Sequence, residues 1–281
     1  MRARGVLVTA LAVILGACGT TRGTVDAGAD VAEAVEAGAE PEWVDVVAFD
    51  PAEVAFPWRP VDEAALDAVH ASLTPRQRIG QHLLVTMERQ ANAVAPTFRA
   101  RLQSFAIGGA FVSPISGVAL HDPAATAAFV RDLQTAAVEA TGVPLFVACD
   151  QEGGFYTAVN GQTGGTDSLT PLALGAVDDA RAVFEAFGRM GRELHALGVN
   201  LDLAPLLDTL HDPGNGNLNT RSFGDDPARV ALLGVAALVG LQAEGVLATG
   251  KHFPGDGLTA GNTHHELIVN PVTRADWQAQ T

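Results

Sequence analysis

The run Lys251-His252-Phe253-Pro254-Gly255-Asp256-Gly257, followed by Asn262-Thr263-His264-His265, puts a cation and three imidazoles within fifteen residues. Lysine offers three donors, and a neutral histidine offers one donor and one acceptor. An imidazole that titrates near neutrality can give and take a proton. Such a set can hold a polar ligand and move a proton on it. A second cluster is Asp150-Gln151-Glu152-Gly153-Gly154. Its carboxylate can accept from hydroxyl groups, and its glycines permit a tight backbone path beside a ligand. A polar turn with a helix cap reads equally well there. Asn200-Leu201-Asp202-Leu203-Ala204-Pro205-Leu206-Leu207-Asp208 places Asp208 at the exit of an apolar run. Asp202 falls inside that run, where a structural hydrogen bond or ion pair is expected. Arg221, in Arg221-Ser222-Phe223-Gly224-Asp225-Asp226-Pro227, can clamp a ligand oxygen with its fork of donors or serve as a surface residue.

These residues need elements to position them. Strand-like runs lie at 82–87, 109–113, 143–149, 199–206 and 246–249, with helical patterns at 91–104, 123–140, 178–197 and 226–244. Thr74-Pro75-Arg76-Gln77 has the form of a helix start, with Thr as cap, Pro first and Gln third. Val230, Leu233, Val235, Ala237, Leu238 and Leu241 form a helical stripe. Strand runs with little polar alternation suit a parallel sheet buried on both faces. Repeated βα units give a doubly wound sheet or a (β/α)8 barrel. Asp150, Asp208, Lys251 and His252 all stand at or just past strand ends, which favours the barrel. The Gly-rich phosphate turn of a dinucleotide-binding fold is absent after the first run. The expected class is therefore α/β, a (β/α)8 TIM-barrel type truncated after about five βα units. Such an arc leaves two sheet edges open. Trp277 and its neighbours read as the start of a further helix.

The chain has 281 residues, 48% of them hydrophobic, which is enough for one sizeable core and a tail. Its net charge of −15 argues against nucleic acid as a partner. Met1-Arg2-Ala3-Arg4 is a basic leader, and the apolar run from Val6 to Leu15 is too short to span a bilayer. Leu15-Gly16-Ala17-Cys18 resembles a bacterial lipobox, which makes Cys18 the expected lipidation site; an ordinary signal peptide is the alternative. Residues 19–50 carry Arg22 as their one basic residue and read as an acidic, disordered tether. The domain follows over 51–281. This arrangement predicts a bacterial cell-envelope protein, lipid-anchored at the outer membrane, facing the periplasm, and contacting membrane through its anchor only. The second cysteine, Cys149, lies in an apolar run and is expected in the core.

Lys-His-Phe-Pro-Gly-Asp-Gly with Asn-Thr-His after it, Asp-Gln-Glu-Gly-Gly, Asn-Leu-Asp-Leu-Ala-Pro-Leu-Leu-Asp and Arg-Ser-Phe-Gly-Asp-Asp-Pro together resemble glycoside hydrolase family 3 over residues 73–281. They are most similar to its bacterial β-N-acetylglucosaminidase branch, which acts on peptidoglycan fragments. The resemblance implies a (β/α)8 barrel and hydrolysis of terminal β-linked N-acetylhexosamine with retention, through a covalent glycosyl-enzyme on an Asp nucleophile. It implies no metal and no organic cofactor. In that branch a loop His, paired with an Asp two residues earlier, replaces one of the usual two carboxylates. Carried over, Asp150, Arg221, Lys251 and His252 match sugar-binding positions, His264 matches the acid/base, and Asn262 stands at the position of its Asp partner. Asn262 carries no charge to stabilise an imidazolium. The family's arginines after the glycines are replaced by Phe155-Tyr156-Thr157-Ala158, and no residue of this chain is assigned as nucleophile. A metal site from His252, Asp256, His264 and His265 is less favoured, because three of the four share one loop. A non-catalytic sugar-binding envelope lipoprotein is the alternative to a hydrolase.

Overall fold

The computed structural model describes residues 54–55, 57, 62–86, 89–90, 93–112, 122–258, 267–269, 272–275 and 277. Most of its helices begin with the same device. An Asp or Thr side chain accepts from a first-turn N–H, and a proline often follows it, because proline has no N–H to leave unpaired. Asp62 caps α1 (Glu63–Ser72). Thr74 caps α2 (Pro75–Gly80) through the expected reciprocal pair: the Gln77 N–H donates to Thr74 Oγ1 at 3.3 Å, and the Thr74 N–H to Gln77 Oε1 at 2.9 Å. After α3 (Pro96–Phe105), Asp122 caps α4 (Pro123–Thr141), Thr170 caps α5 (Pro171–Val177), Asp179 caps α6 (Ala180–Leu197) and Asp226 caps α7 (Pro227–Ala243). The helix expected from residue 91 starts only at Pro96. Residues 93–94 pair instead with Arg89–Gln90, and the residue before a proline is biased away from helix. Helix α5 had no counterpart in the sequence reading.

Five strands form one parallel sheet: β1 (Leu84–Thr86), β2 (Gly109–Phe111), β3 (Phe146–Cys149), β4 (Leu201–Asp202) and β5 (Leu247–Ala248). Each pairs with the next in sequence. A doubly wound sheet would reverse its order partway, so the described strands form an open arc of the (β/α)8 class. The run expected at 199–206 is paired on both sides only at Leu201–Asp202. Pro205 has no N–H to donate, and pairing with the neighbouring segment resumes as a bridge between Leu206 and Lys251. There the Leu207 N–H donates to the Lys251 carbonyl at 2.7 Å and the Lys251 N–H to the Pro205 carbonyl at 3.1 Å.

The core lies between the sheet and its helices. Val147 and Cys149 from β3 share it with Leu133 of α4, Phe187 and Leu194 of α6, and Leu241 of α7. Helix α7 turns Val230, Leu233, Ala237 and Leu241 inward as expected, but Val235 faces solvent. The helix is apolar almost all round, so no polar face marks its outer side. Helices α6 and α7 approach closely. A Cβ added at Gly240 would lie 2.5 Å from the Phe184 carbonyl oxygen. On helix propensity alone Gly240→Ala would gain about 1 kcal/mol. We expect instead a net loss of about 1–3 kcal/mol, because α6 and α7 must separate; urea denaturation measures the sign.

Candidate functional site

Strand β3 ends at Cys149, and Asp150 follows at the sheet's C-terminal edge. From the exit of β5, Lys251 reaches back across β4. Its Nζ lies 2.7 Å from Asp150 Oδ1 and 2.6 Å from Glu152 Oε1. Asp150 keeps 40% of its side chain exposed, whereas Glu152 keeps 2%. Glu152 also accepts two hydrogen bonds from Arg221, from Nε at 2.7 Å and from Nη2 at 2.9 Å. Arg221 ends a short 3-10 turn, Asn219–Arg221, gives Nη1 to the Asn217 carbonyl at 3.0 Å, and places its guanidinium 4.4 Å from the centre of the Tyr156 ring. The result is a chain of alternating charge: Asp150, Lys251, Glu152, Arg221.

Burial alone would raise the Glu152 carboxyl, but the Arg221 hydrogen bonds and the Lys251 charge outweigh it and hold the group below its ordinary value. Asp202 shows the opposite balance. It is fully buried, accepts the Gln151 N–H at 2.9 Å through one oxygen, and has no hydrogen-bond partner at the other. Burial pushes its carboxyl well above the usual carboxylate value, and the Gln151 N–H and Lys251 offset only part of that. Burial likewise pushes the Cys149 thiol up, with Asp202 and Asp150 adding to it, which suits an inert core residue.

His252 is held differently. Its Nδ1 lies 2.7 Å from Asp208 Oδ2, and its backbone N–H donates to the same oxygen at 3.1 Å. The Asp256 N–H donates to the other oxygen at 2.7 Å. A carboxylate only accepts, so Nδ1 carries the hydrogen and Nε2 is left for a ligand. Asp208 therefore acts through His252, which fixes the meaning of its place at a strand exit. A cavity of about 250 Å³ opens beside this pair, lined by Leu207, Thr209, His252, Phe253 and Leu258 among others. Lys251 and Asp208 line it too, whereas Asp150, Glu152 and Arg221 do not, so the cavity meets the charged network at Lys251.

Of the residues singled out from sequence, Asp150, Lys251 and Arg221 meet in one network, and His252 stands beside Lys251. Asn262, His264, His265 and Cys18 lie outside the described residues. Arg221 directs its fork at a protein carboxylate. Glu152, which receives it, was missed as a site residue, although its place two residues after Asp150 on an extended segment puts both on one face. The glycines take the tight backbone path expected of them. Gly153 and Gly154 take φ values of 95° and 60°, and a Cβ on Gly153 would lie 2.7 Å from the Leu169 carbonyl oxygen. They fit the chain against its own segment 168–170.

Parallel strands in barrel order, with polar groups gathered at their C-terminal ends, define a barrel-type ligand site. Residues 74–281 match the glycosyl hydrolase family 3 N-terminal domain, and the chain belongs to that family. It is 31% identical over 225 residues to beta-hexosaminidase A of Pseudoalteromonas piscicida, covering 74% of this chain and 37% of that one. It is 30% identical over 205 residues to beta-hexosaminidase LpqI of Mycobacterium tuberculosis, covering 72% and 49%. The chain thus spans half or less of the length of these relatives. Among solved structures, a family 3 β-N-acetylglucosaminidase from Paenibacillus superposes with a TM-score of 0.67 at 36% identity, over 73% of this chain and 38% of that one. A β-N-acetylhexosaminidase from Beutenbergia cavernae does so with 0.64 at 36%, over 73% and 62%.

An acid with a raised folded pKa binds its proton more tightly when folded. Asp202 therefore costs nothing below its unfolded value, near 3.8, and lowers stability as pH rises from there toward the folded pKa. Asp202→Asn keeps an acceptor for the Gln151 N–H and removes this titration. We expect its stability relative to the parent to rise as pH goes from 3.8 toward neutrality. Urea titrations across pH check this; a gap that does not change with pH would refute it.

Proposed function

We propose that the protein acts on terminal β-linked N-acetylhexosamine as a retaining glycosidase. The observation that carries this is the pairing of Lys251 with Asp150 and of His252 with Asp208 at adjoining strand exits. Together they offer a half-exposed carboxylate, an ammonium and one open imidazole nitrogen to the hydroxyls of one sugar ring. The names of the relatives, β-hexosaminidase and β-N-acetylglucosaminidase, supply the substrate class.

In the reaction a carboxylate, assigned to no residue of this sequence, attacks the anomeric carbon as the bond to the leaving oxygen breaks. His264, protonated, gives that oxygen its proton. A water then attacks the same carbon, His264 takes a proton from it, and the carboxylate is released. Asn262, at the position of the family's Asp, carries no charge of its own to stabilise an imidazolium, and a low rate is expected. Asp150, Lys251 and His252 hold the sugar, and Arg221 fixes Glu152 beneath Lys251. Lipid on Cys18 holds the protein at the bacterial outer membrane.

Release of nitrophenol from an aryl N-acetyl-β-glucosaminide by the full-length protein tests the reading. Lys251→Ala is expected to lower kcat/KM by about 10²-fold or more, through a lost charge-assisted hydrogen bond to the sugar and a carboxylate pair, Asp150 and Glu152, left without the ammonium between them. Asn262→Asp is expected to raise kcat, by at most about 10⁴, the loss seen for the reverse change in a serine-protease triad. Binding of N-acetylglucosamine without turnover in either form would favour the non-catalytic reading, for which Asn262 is the motivating residue. Separately, Cys18→Ser is expected to move the protein from the membrane to the soluble fraction of the cell; unchanged membrane association would refute lipidation there.

A further inference from the structure

The hairpin that opens at Asp150 carries both Glu152 and an aromatic ring set against Glu152's own partner. Gln151–Gly153 pairs with Tyr156–Thr157, with Tyr156 opposite Gly153, and the Ala158 N–H returns to the Asp150 carbonyl at 3.1 Å. Gly153 and Gly154 dock the turn on residues 168–170, and the Gly154 N–H donates to the Ser168 carbonyl at 3.3 Å. Tyr156 is thereby brought to the Arg221 guanidinium, whose carbon sits over the ring 4.4 Å from its centre.

Arg221 is only 8% exposed although it carries a full charge. Its hydrogen bonds, to Glu152 and to the Asn217 carbonyl, leave from the edges of the planar group through Nε, Nη1 and Nη2. A ring against the guanidinium carbon restrains the group where those edge bonds do not. It also takes water from a charge that then binds its carboxylate more strongly. The effect passes along the network, because Glu152 Oε1 is shared. It accepts from Arg221 Nη2 at 2.9 Å and lies 2.6 Å from Lys251 Nζ. An ammonium has three donors, and among the described residues Asp150 and Glu152 take two of them, which leaves one for a ligand. The direction of that third donor depends on where the shared oxygen sits, hence on Arg221 and on the ring against it.

We infer that Tyr156 is a positioning residue of the sugar site: its ring holds Arg221, which holds the Glu152 oxygen that aims the Lys251 ammonium. The inference rests on the proposed reading of Lys251 as a sugar ligand, and it requires no contact between Tyr156 and the sugar. Phe155, one residue earlier and 87% exposed, stands outside this chain of contacts and serves as the control.

The test is calorimetric titration of the full-length protein with N-acetylglucosamine. Tyr156→Leu is expected to weaken binding about three- to tenfold, the order of a partly buried cation–π contact. Tyr156→Phe, which keeps the ring, should recover the parent affinity, and Phe155→Ala should leave it unchanged. In an Arg221→Lys background an ammonium still balances Glu152 but the guanidinium is gone. There Tyr156→Leu should cost about twofold or less. An unaltered affinity in Tyr156→Leu overturns the positioning role while the sugar site stands. So does a Tyr156→Phe as weak as Tyr156→Leu, a loss in Phe155→Ala equal to that in Tyr156→Leu, or an undiminished Tyr156→Leu loss in the Arg221→Lys background. Failure of the parent to bind N-acetylglucosamine overturns the site and the role of Tyr156 together. Matching thermal midpoints establish that the variants fold.

Discussion

The ammonium of Lys251, held between Asp150 and Glu152, is the interaction on which the rest of the site depends. It joins the exits of β3 and β5 across the strand between them. It also lies against a carboxylate that is almost wholly out of water, so removing the ammonium would leave Arg221 to balance Glu152. Arg221 closes the chain by taking both oxygens of Glu152. The order of signs is what makes the cluster tolerable in a low-dielectric setting, since every group there has an opposite neighbour and no like charges are adjacent in the chain. Asp208 repeats the principle one strand exit along, with three N–H groups converging on its carboxylate.

Beneath this charged layer the sheet is largely apolar. Val147, Cys149 and Ala248 are buried in it, and Asp202 is lodged among them with one oxygen satisfied. The contrast between Asp202 and Glu152 is instructive. Both are buried carboxylates near Lys251, yet one is pushed up and the other down. The difference is hydrogen bonding to a cation: Glu152 receives two such bonds from Arg221, whereas Asp202 receives one N–H from the backbone.

Local signals in the sequence carried most of the architecture. Thr74 with Gln77, and the apolar runs before Asp150 and Lys251, marked element ends through chemistry contained within a few residues. The parallel sheet followed from the runs' uniform apolarity, and its barrel order from polar groups at several strand ends. What local patterns could not carry were partners far apart in sequence. Arg221 meets Glu152 across 69 residues, and nothing at either end announces the other. Val235 was misplaced because α7 lacks the polar face that gives a stripe its direction. The fourth strand was overestimated because Leu203 to Leu206 is as apolar as a strand but includes a residue that cannot donate to a ladder. The glycines after Glu152 were correctly seen as a close approach, but spacing could not say that the chain's own segment 168–170 approaches them.

That last point separates foundation from reader. Because Gly153 and Gly154 dock on residues 168–170, the geometry of the turn is set from outside the ligand site and from below its tip. Residue 155 can then differ without disturbing Asp150, whose register is fixed upstream by β3 and by Lys251, whereas Tyr156 is tied to the charged network through Arg221. The hairpin is in effect an interchangeable head on a fixed handle. The side chain at position 155 is thus the part of the turn that can be rewritten while the charged foundation stays as it is.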